Sequence, residues 1–348
     1  MLKKSAKYIV GFLVGALFLW LAFRNLDIDR VWGYIQTMSW GWILPFFAVT
    51  MFSHLLRSER WRLLIEREDS KARLSTLYAG VMSGYLMNYI VPRLGEVSRC
   101  VYVSKKDGLK TGELFGTVVL ERVLDLFFLI LFLLFLLFYV VNDPRTISRL
   151  FGEEAIASIE ALSSWTTVVL GFGLVALTVA GYFAGVKLLE IWVSKRWVLF
   201  RFAGKLLEFV KVFVSGLTSI RHMKRWPYFM LLSFTIWFCY VLMTYIPLYM
   251  FNMAEQFQLS IPDAAIVMVI SSIGVSLPSP GGIGTYHWFT KQALVVLFGV
   301  TEVTALAYAF VTHAFMLVAV LIFTPLVILI NNLITDRLLQ SKMEQSAD

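Results

Sequence analysis

Apolar runs alternate with short polar stretches along the chain, at the length scale of a bilayer. A spanning helix needs about 20 predominantly apolar residues. Continuous runs at 8–23, 40–56, 114–141, 165–186, 228–251 and 303–333 predict six transmembrane helices. Two further segments, 74–104 and 263–298, are apolar but broken. The first carries Pro92 and Gly95 together with Arg93, Glu96 and Arg99. The second carries Leu277-Pro-Ser-Pro-Gly-Gly-Ile-Gly284, which includes Pro280, Gly281, Gly282 and Gly284. Non-helical backbone and charge persist at membrane depth only where they are buried in protein or line a wet cavity.

Composition agrees with this pattern. Of 348 residues, 59% are hydrophobic and 16% charged, against about 25% charged in soluble domains. Lys3, Lys4 and Lys7 precede the first run, whose end lacks a small-x-small cleavage pattern, so a retained first helix is expected. The net charge of +8 falls in the loops, and no nucleic-acid reader motif accompanies it. Cys100 and Cys239 have neither disulfide nor metal spacing and read as packing residues. No cofactor or metal site is expected.

Loop charge sets the topology. The N-terminus and the loops 57–73, 105–113 and 187–227 are basic, the last with nine lysines and arginines. All should be cytoplasmic. The loops 24–39, 142–163, 252–262 and 299–302 are poor in basic residues and should lie outside. Both flanks of 74–104 then belong to the cytoplasm, so this segment must enter and return, turning near Pro92 and Gly95. By the same counting 263–298 enters and returns from outside, turning near Pro278 to Gly284. The expected architecture is an all-α polytopic protein with six transmembrane helices and two re-entrant helical hairpins from opposite faces, in a single membrane domain over 1–348. It becomes eight spans if the hairpins are counted. Leu74-Ser75 and Leu259-Ser260 stand ahead of the two breaks, and a long span follows each. This is the pattern of a weak inverted repeat, an arrangement that puts transporter sites near the midplane.

Polar residues inside the apolar runs are the candidate chemistry. Glu121 and Asp125 share a helix face, with Arg122 about 100° away. Arg93 and Arg99 are natural partners for these acids, and Glu96 for Arg122 or Arg99. The cluster reads either as a polar cavity for a charged head group or as a closed ion-pair network pinning the hairpin. At the second break, backbone amides of Gly281, Gly282 and Gly284 and the start of the following helix could receive an anion; equally, the glycines could serve a tight turn or close packing. Lys291, His287 and His313 are candidate lining residues, His313 with a packing role as the plain alternative. His54 reads as interfacial. Residues 202–220 alternate Leu, Phe and Val with Lys205, Glu208 and Lys211, as an interfacial amphipathic helix would.

Pro92-Arg-Leu-Gly-Glu96 with Arg99, then Glu121-Arg122 with Asp125, then Pro280-Gly-Gly-Ile-Gly284, in that order and spacing, resembles the lysylphosphatidylglycerol synthase transmembrane-region family. This is also called the flippase-like domain family, here in its stand-alone, UPF0104-type form. In that family the domain occurs alone or fused to a cytoplasmic aminoacyl-transferase domain, and the fused form flips the modified lipid to the outer leaflet. Relatives are thought to handle other lipids, including polyprenyl-linked sugars. With no soluble domain before Asp348, the synthase activity is not expected. Relatives commonly carry a glutamate after the glycines, whereas this chain has Thr285, Tyr286 and His287, which weakens the case for a cationic aminoacyl lipid.

The expected function is a flippase-like carrier for a phospholipid or polyprenyl-phosphate-linked lipid in the inner membrane, with both termini cytoplasmic. Its partners would be the lipid and a further copy of the chain or a lipid-modifying enzyme, and no nucleic acid. The alternatives are a non-transporting scaffold for envelope lipid enzymes and a membrane enzyme on lipid-linked substrates. Against the enzyme, the chain has no HExxH, GxSxG or phosphate-binding loop.

Overall fold

The computed structural model describes residues 2–24, 26–65, 72–91, 94–141 and 225–345. All regular structure among them is helical. The chain divides into two compact units, Met1–Val119 with Pro227–Asp348, and Leu120–Trp226. Pro92, Arg93, the expected span 165–186 and the amphipathic stretch 202–220 lie outside the described residues.

In the first unit, α1 (Leu2–Phe23) is followed by a short helix, α2 (Ile28–Gln36), where a loop was expected. Asp27 caps α2 by accepting from the Asp29 amide at 3.0 Å, and Val31 and Ile35 are buried. A 3-10 turn (Trp40–Trp42) leads into α3 (Ile43–Ile65). This helix runs past the end expected at residue 56. Charges that read as loop are buried instead: Arg57, Glu59 and Arg60 all are.

α4 (Leu74–Ile90) and α5 (Leu94–Asp107) pack together on either side of the interruption at 91–93. Residues of 17 and 14 in number make helices of about 25 and 21 Å, each shorter than a hydrocarbon core of about 30 Å. Glycine brings them close. A Cβ at Gly80 would lie 2.9 Å from Val103 Cγ2, and one at Gly84 2.9 Å from the Gly95 carbonyl oxygen. A Cβ at Gly95 would overlap the Gly84 carbonyl and the Asn88 side chain. Asn88 Oδ1 accepts from the Gly95 amide at 2.7 Å and so caps the start of α5. At the far end Asp107 takes the Arg73 amide (2.9 Å) and guanidinium (2.6 Å), joining the start of α4 to the end of α5. Leu77, Val81, Cys100 and Val103 form a core there with Trp61, Leu114 and Val118. The last two belong to the start of α6 (Thr111–Val141).

α7 (Trp226–Met250) ends at Asn252, which adopts a left-handed conformation before the short α8 (Met253–Gln256). α9 (Ile261–Ser276), capped by Ser260 and Asp263, packs against α10 (Thr285–Phe298). Between them lies a 3-10 turn, Pro280–Gly282. Glycine again permits the approach: a Cβ at Gly274 would lie 2.8 Å from the Thr285 carbonyl oxygen. α11 (Glu302–Gln345) is the longest helix.

α11 serves as a ruler for both helix pairs. Arg73 and Thr76, at the base of α4, bond to Thr335 and Asn331. Further along, Thr324 donates to the Met82 carbonyl, and Tyr89, near the end of α4, meets His313. The other pair starts from the opposite end: Lys291 bonds to Glu302, and His287 stacks on His313. The two pairs therefore approach along α11 from opposite ends and meet at His313.

α7 and α11 are each long and apolar enough to cross a membrane, and α2 with 40–65 would add a third as a span bent by 75°. Phe12–Phe23 and Ile261–Ser276 are shorter apolar helices. Large apolar side chains face outward, including Phe12, Trp20, Phe234, Phe238, Leu329 and Leu333. Such a surface suits lipid, and the protein is a multi-pass membrane protein, helical in all the regular structure of its described residues.

In the second unit the described residues continue α6 from Leu120 to Val141.

Candidate functional site

The first site lies where α3, α4 and α5 pack. His54, Arg57 and Trp61 recur three and four residues apart and share a helix face. Arg57 Nη1 donates to the Tyr240 hydroxyl of α7 at 3.0 Å, and its guanidinium lies over the Tyr85 ring at 5.6 Å. His54 packs on the same ring at 4.3 Å, so it is buried rather than interfacial. The Arg99 guanidinium sits 4.7 Å over Trp61. Trp61 Nε1 is fixed in turn by donation to Thr117 Oγ1 at 2.8 Å. Arg60 is fully buried on the same helix. Guanidinium ions stacked on rings at low dielectric gain cation–π attraction while their edge donors stay directed sideways. Three buried arginines in an apolar membrane protein are costly, and the arrangement is chemically suited to an anion.

The expected acidic partners are on α6. Glu121 is buried. Arg122 Nη1 lies 4.0 Å from Asp125 Oδ2, one turn on, a pairing not assigned from spacing. Glu96 occupies the first turn of α5, where a negative charge is favoured by the helix dipole. Gly95 does not break the helix. It lies inside α5 and serves the close approach to Gly84.

The second site is the meeting point at His313. Tyr286, His287 and Tyr89 ring the imidazole at 5.0, 4.9 and 6.0 Å between centroids. The Pro280–Gly282 turn closes over it, with His313 Cε1 3.7 Å from where a Cβ on Gly282 would stand. Gly281 has φ 56° and packs directly on Tyr89, where any side chain would collide. The turn's amides are largely engaged within it. Gly282 donates to Ser279 O (3.3 Å), Ile283 to Pro280 O (3.0 Å) and Gly284 to His287 Nδ1 (3.2 Å). Gly284, at φ 83°, also packs against the Gly15 carbonyl of α1. The geometry thus gives these glycines the packing and turn role. Lys291 stands apart from His313. It is buried, donating to the Ala22 carbonyl (3.1 Å) and pairing with Glu302 (2.9 Å).

Sequence reasoning did not single out Arg57, Arg60, Tyr85, Tyr89 or Tyr240. The signal for the arginines was available: His54, Arg57 and Arg60-Trp61 continue the helical spacing beyond residue 56. For the tyrosines, only tertiary contact reveals them. Among the described residues, no group of three or more His, Cys, Asp or Glu could hold a metal ion.

Comparison with known proteins places this geometry. The chain is 26% identical over 141 residues to a UPF0104 membrane protein of Methanocaldococcus jannaschii, an alignment covering 40% of this chain and 42% of that relative. The chain thus matches less than half of the length of that curated relative. No solved structure matches it significantly. The model of the lysylphosphatidylglycerol synthase TM region matches residues 8–323, nearly the whole of the apolar sequence including both broken helix pairs, and the chain belongs to that family.

Proposed function

We propose that the protein is a flippase-like lipid carrier of the cytoplasmic membrane. It moves a phospholipid or polyprenyl-phosphate-linked lipid between leaflets and performs no chemistry on it. The observation that carries this reading is the set of buried arginines. Arg57, Arg60 and Arg99 lie on the helices around Tyr85 and Trp61, where a lipid phosphate would meet planar donors while its acyl chains stay in the bilayer. Membership of the family adds a link to lipid metabolism.

In this reading each helix pair is re-entrant. The Arg73–Asp107 pair holds the start of α4 beside the end of α5, as a segment returning to its own face requires. The basic loops put that base, and both termini, in the cytoplasm. The second pair then enters from the opposite face, giving a site between two broken segments as in inverted-repeat carriers. A second copy of the chain, or an enzyme that makes the carried lipid, is the partner this arrangement would serve.

Reconstitution tests it. Purified protein is placed in liposomes with fluorescent phosphatidylglycerol, phosphatidylethanolamine and polyprenyl phosphate, and outer-leaflet quenching is followed. Translocation of one of these should fall at least about 10-fold in Arg57→Lys and Arg99→Lys, because lysine keeps the charge but not the planar fork or the stacking. Gly116→Ala, at a position with nothing within 4 Å, should match the parent. No translocation of any panel lipid by the parent would overturn the reading, as would unimpaired translocation by both arginine variants.

A further inference from the structure

We propose that His313 is a head-group contact, covered in this structure by the junction of the two helix-pair ends and offered to a lipid phosphate oxygen when Tyr89 moves off Gly281. This rests on the lipid-carrier reading above.

The argument starts from an unmet requirement. Buried polar groups in folded proteins are almost always hydrogen-bonded. His313 is 5% exposed. Neither Nδ1 nor Nε2 has a hydrogen-bond partner among the described residues, and each has under 1 Å² of accessible surface. There is thus no space beside either nitrogen for a water. A neutral imidazole always carries one donor and one acceptor, so the closed arrangement leaves both unsatisfied, at a cost in free energy.

His287 shows the contrast. It stacks on His313 at 4.9 Å, yet its Nδ1 accepts from the Gly284 amide. That bond places the proton of neutral His287 on Nε2 and anchors the ring to the turn. The same environment therefore gives one histidine a hydrogen bond and the other none. A residue needed only for packing could be phenylalanine; the ring contacts to Tyr89 and Tyr286 would survive the change.

The cover centres on the closest contact between the two pairs. Tyr89 lies at the end of α4, and its ring packs on the bare Cα of Gly281. α4 belongs to one helix pair and Gly281 to the other, so separation of the pairs at this contact uncovers His313. The rings around it are uncharged: Tyr89, Tyr286 and neutral His287. An imidazole there can donate one hydrogen bond to a phosphate oxygen or hydroxyl, and offers nothing to hold a cationic group by charge.

The test reads the reactivity of His313 toward diethylpyrocarbonate by peptide mass spectrometry, with full-length protein in nanodiscs and Cys100 and Cys239 replaced by alanine. A Cβ at Gly281 falls 3.2 Å from Tyr89 Cγ, which puts paired cysteines at 89 and 281 near the usual Cβ separation of about 3.5–4.5 Å. In Tyr89→Cys/Gly281→Cys, oxidation should form the cross-link and slow His313 modification at least 10-fold, with recovery on reduction. Tyr89→Ala, which leaves the strained glycine in place, should speed it at least 10-fold. In the parent, phosphatidylglycerol nanodiscs should slow modification relative to phosphatidylcholine ones. Protection by inorganic phosphate in phosphatidylcholine nanodiscs, without protection by phosphatidylglycerol, would overturn the lipid assignment. Failure to cross-link, equal rates in Tyr89→Ala and parent, or an inert His313 throughout would overturn the covered site. If these results hold while no lipid is translocated, the site stands and the carrier reading falls.

Discussion

Gly95 shows how one residue can be read correctly as unusual and wrongly as to cause. Next to Pro92 it looks like a helix breaker. It is helical in the structure, and what it supplies is the absence of a Cβ against the Gly84 carbonyl and Asn88. Gly95→Ala must push α5 off α4 and disturb the Asn88 cap. Overpacking of this kind costs on the order of 1–3 kcal/mol. The melting temperature of the purified protein should fall by several degrees, while Gly116→Ala leaves it unchanged; equal melting of the two would refute the packing role. Arg57 and Arg60 illustrate the opposite limit. A charge at the end of an apolar run reads as the start of a loop, because sequence pattern carries no record of what a side chain faces. The Arg57 guanidinium meets Tyr85 and Tyr240, 28 and 183 positions away in the chain.

At the scale of elements, the apolar runs located the long helices and the Pro/Gly breaks located both interruptions. Boundaries moved where tertiary contacts outweighed local polarity, as in α3, or where a small amphipathic helix filled a presumed loop, as in α2. Lys291 is a case where residue type was legible and role was not. A lysine inside an apolar helix suggests a ligand. Here it reaches the last turn of α1 through the Ala22 carbonyl, with Glu302 at its other side. It thus ties α1, α10 and α11 together and supplies a donor to a carbonyl that the end of a helix leaves open. Lys291→Met keeps the apolar stem and removes that donor, at a cost of about 1–3 kcal/mol. Amides at 19–24 should then exchange hydrogen at least about 10-fold faster, with α9 unaffected. Unchanged exchange at the end of α1 would mean that packing holds the helix without the lysine, through Gly15 against Ile283 and Ser279 and through Phe18 and Phe23 against Trp288 and Phe310.

At the scale of the molecule, loop charge and internal contacts address one question by independent routes. By loop charge, 105–113 and the C-terminal side of α11 are expected in the cytoplasm and 252–262 and 299–302 outside. Contacts put the base of the α4–α5 pair beside Thr335 and the base of the α9–α10 pair beside Glu302, at opposite ends of α11. Twenty-two residues from His313 to Thr335 span about 33 Å of helix, close to a full hydrocarbon core on one side of the meeting point. The 11 residues from Glu302 to His313 span about 16 Å. The meeting point is therefore off the centre of α11, toward its Glu302 end. A topology assay discriminates sharply, because a re-entrant pair has both flanks on one face and a crossing pair does not. Single cysteines replace Lys110, Arg337, Gln256 and Thr301, all exposed, in a background without Cys100 and Cys239. An impermeant maleimide added to intact cells should label Gln256→Cys and Thr301→Cys. Lys110→Cys and Arg337→Cys should label only after the membrane is permeabilised. If Gln256→Cys and Thr301→Cys label from opposite sides, the α9–α10 pair crosses, and the two pairs cannot form the mirrored insertion on which a lipid site between them depends.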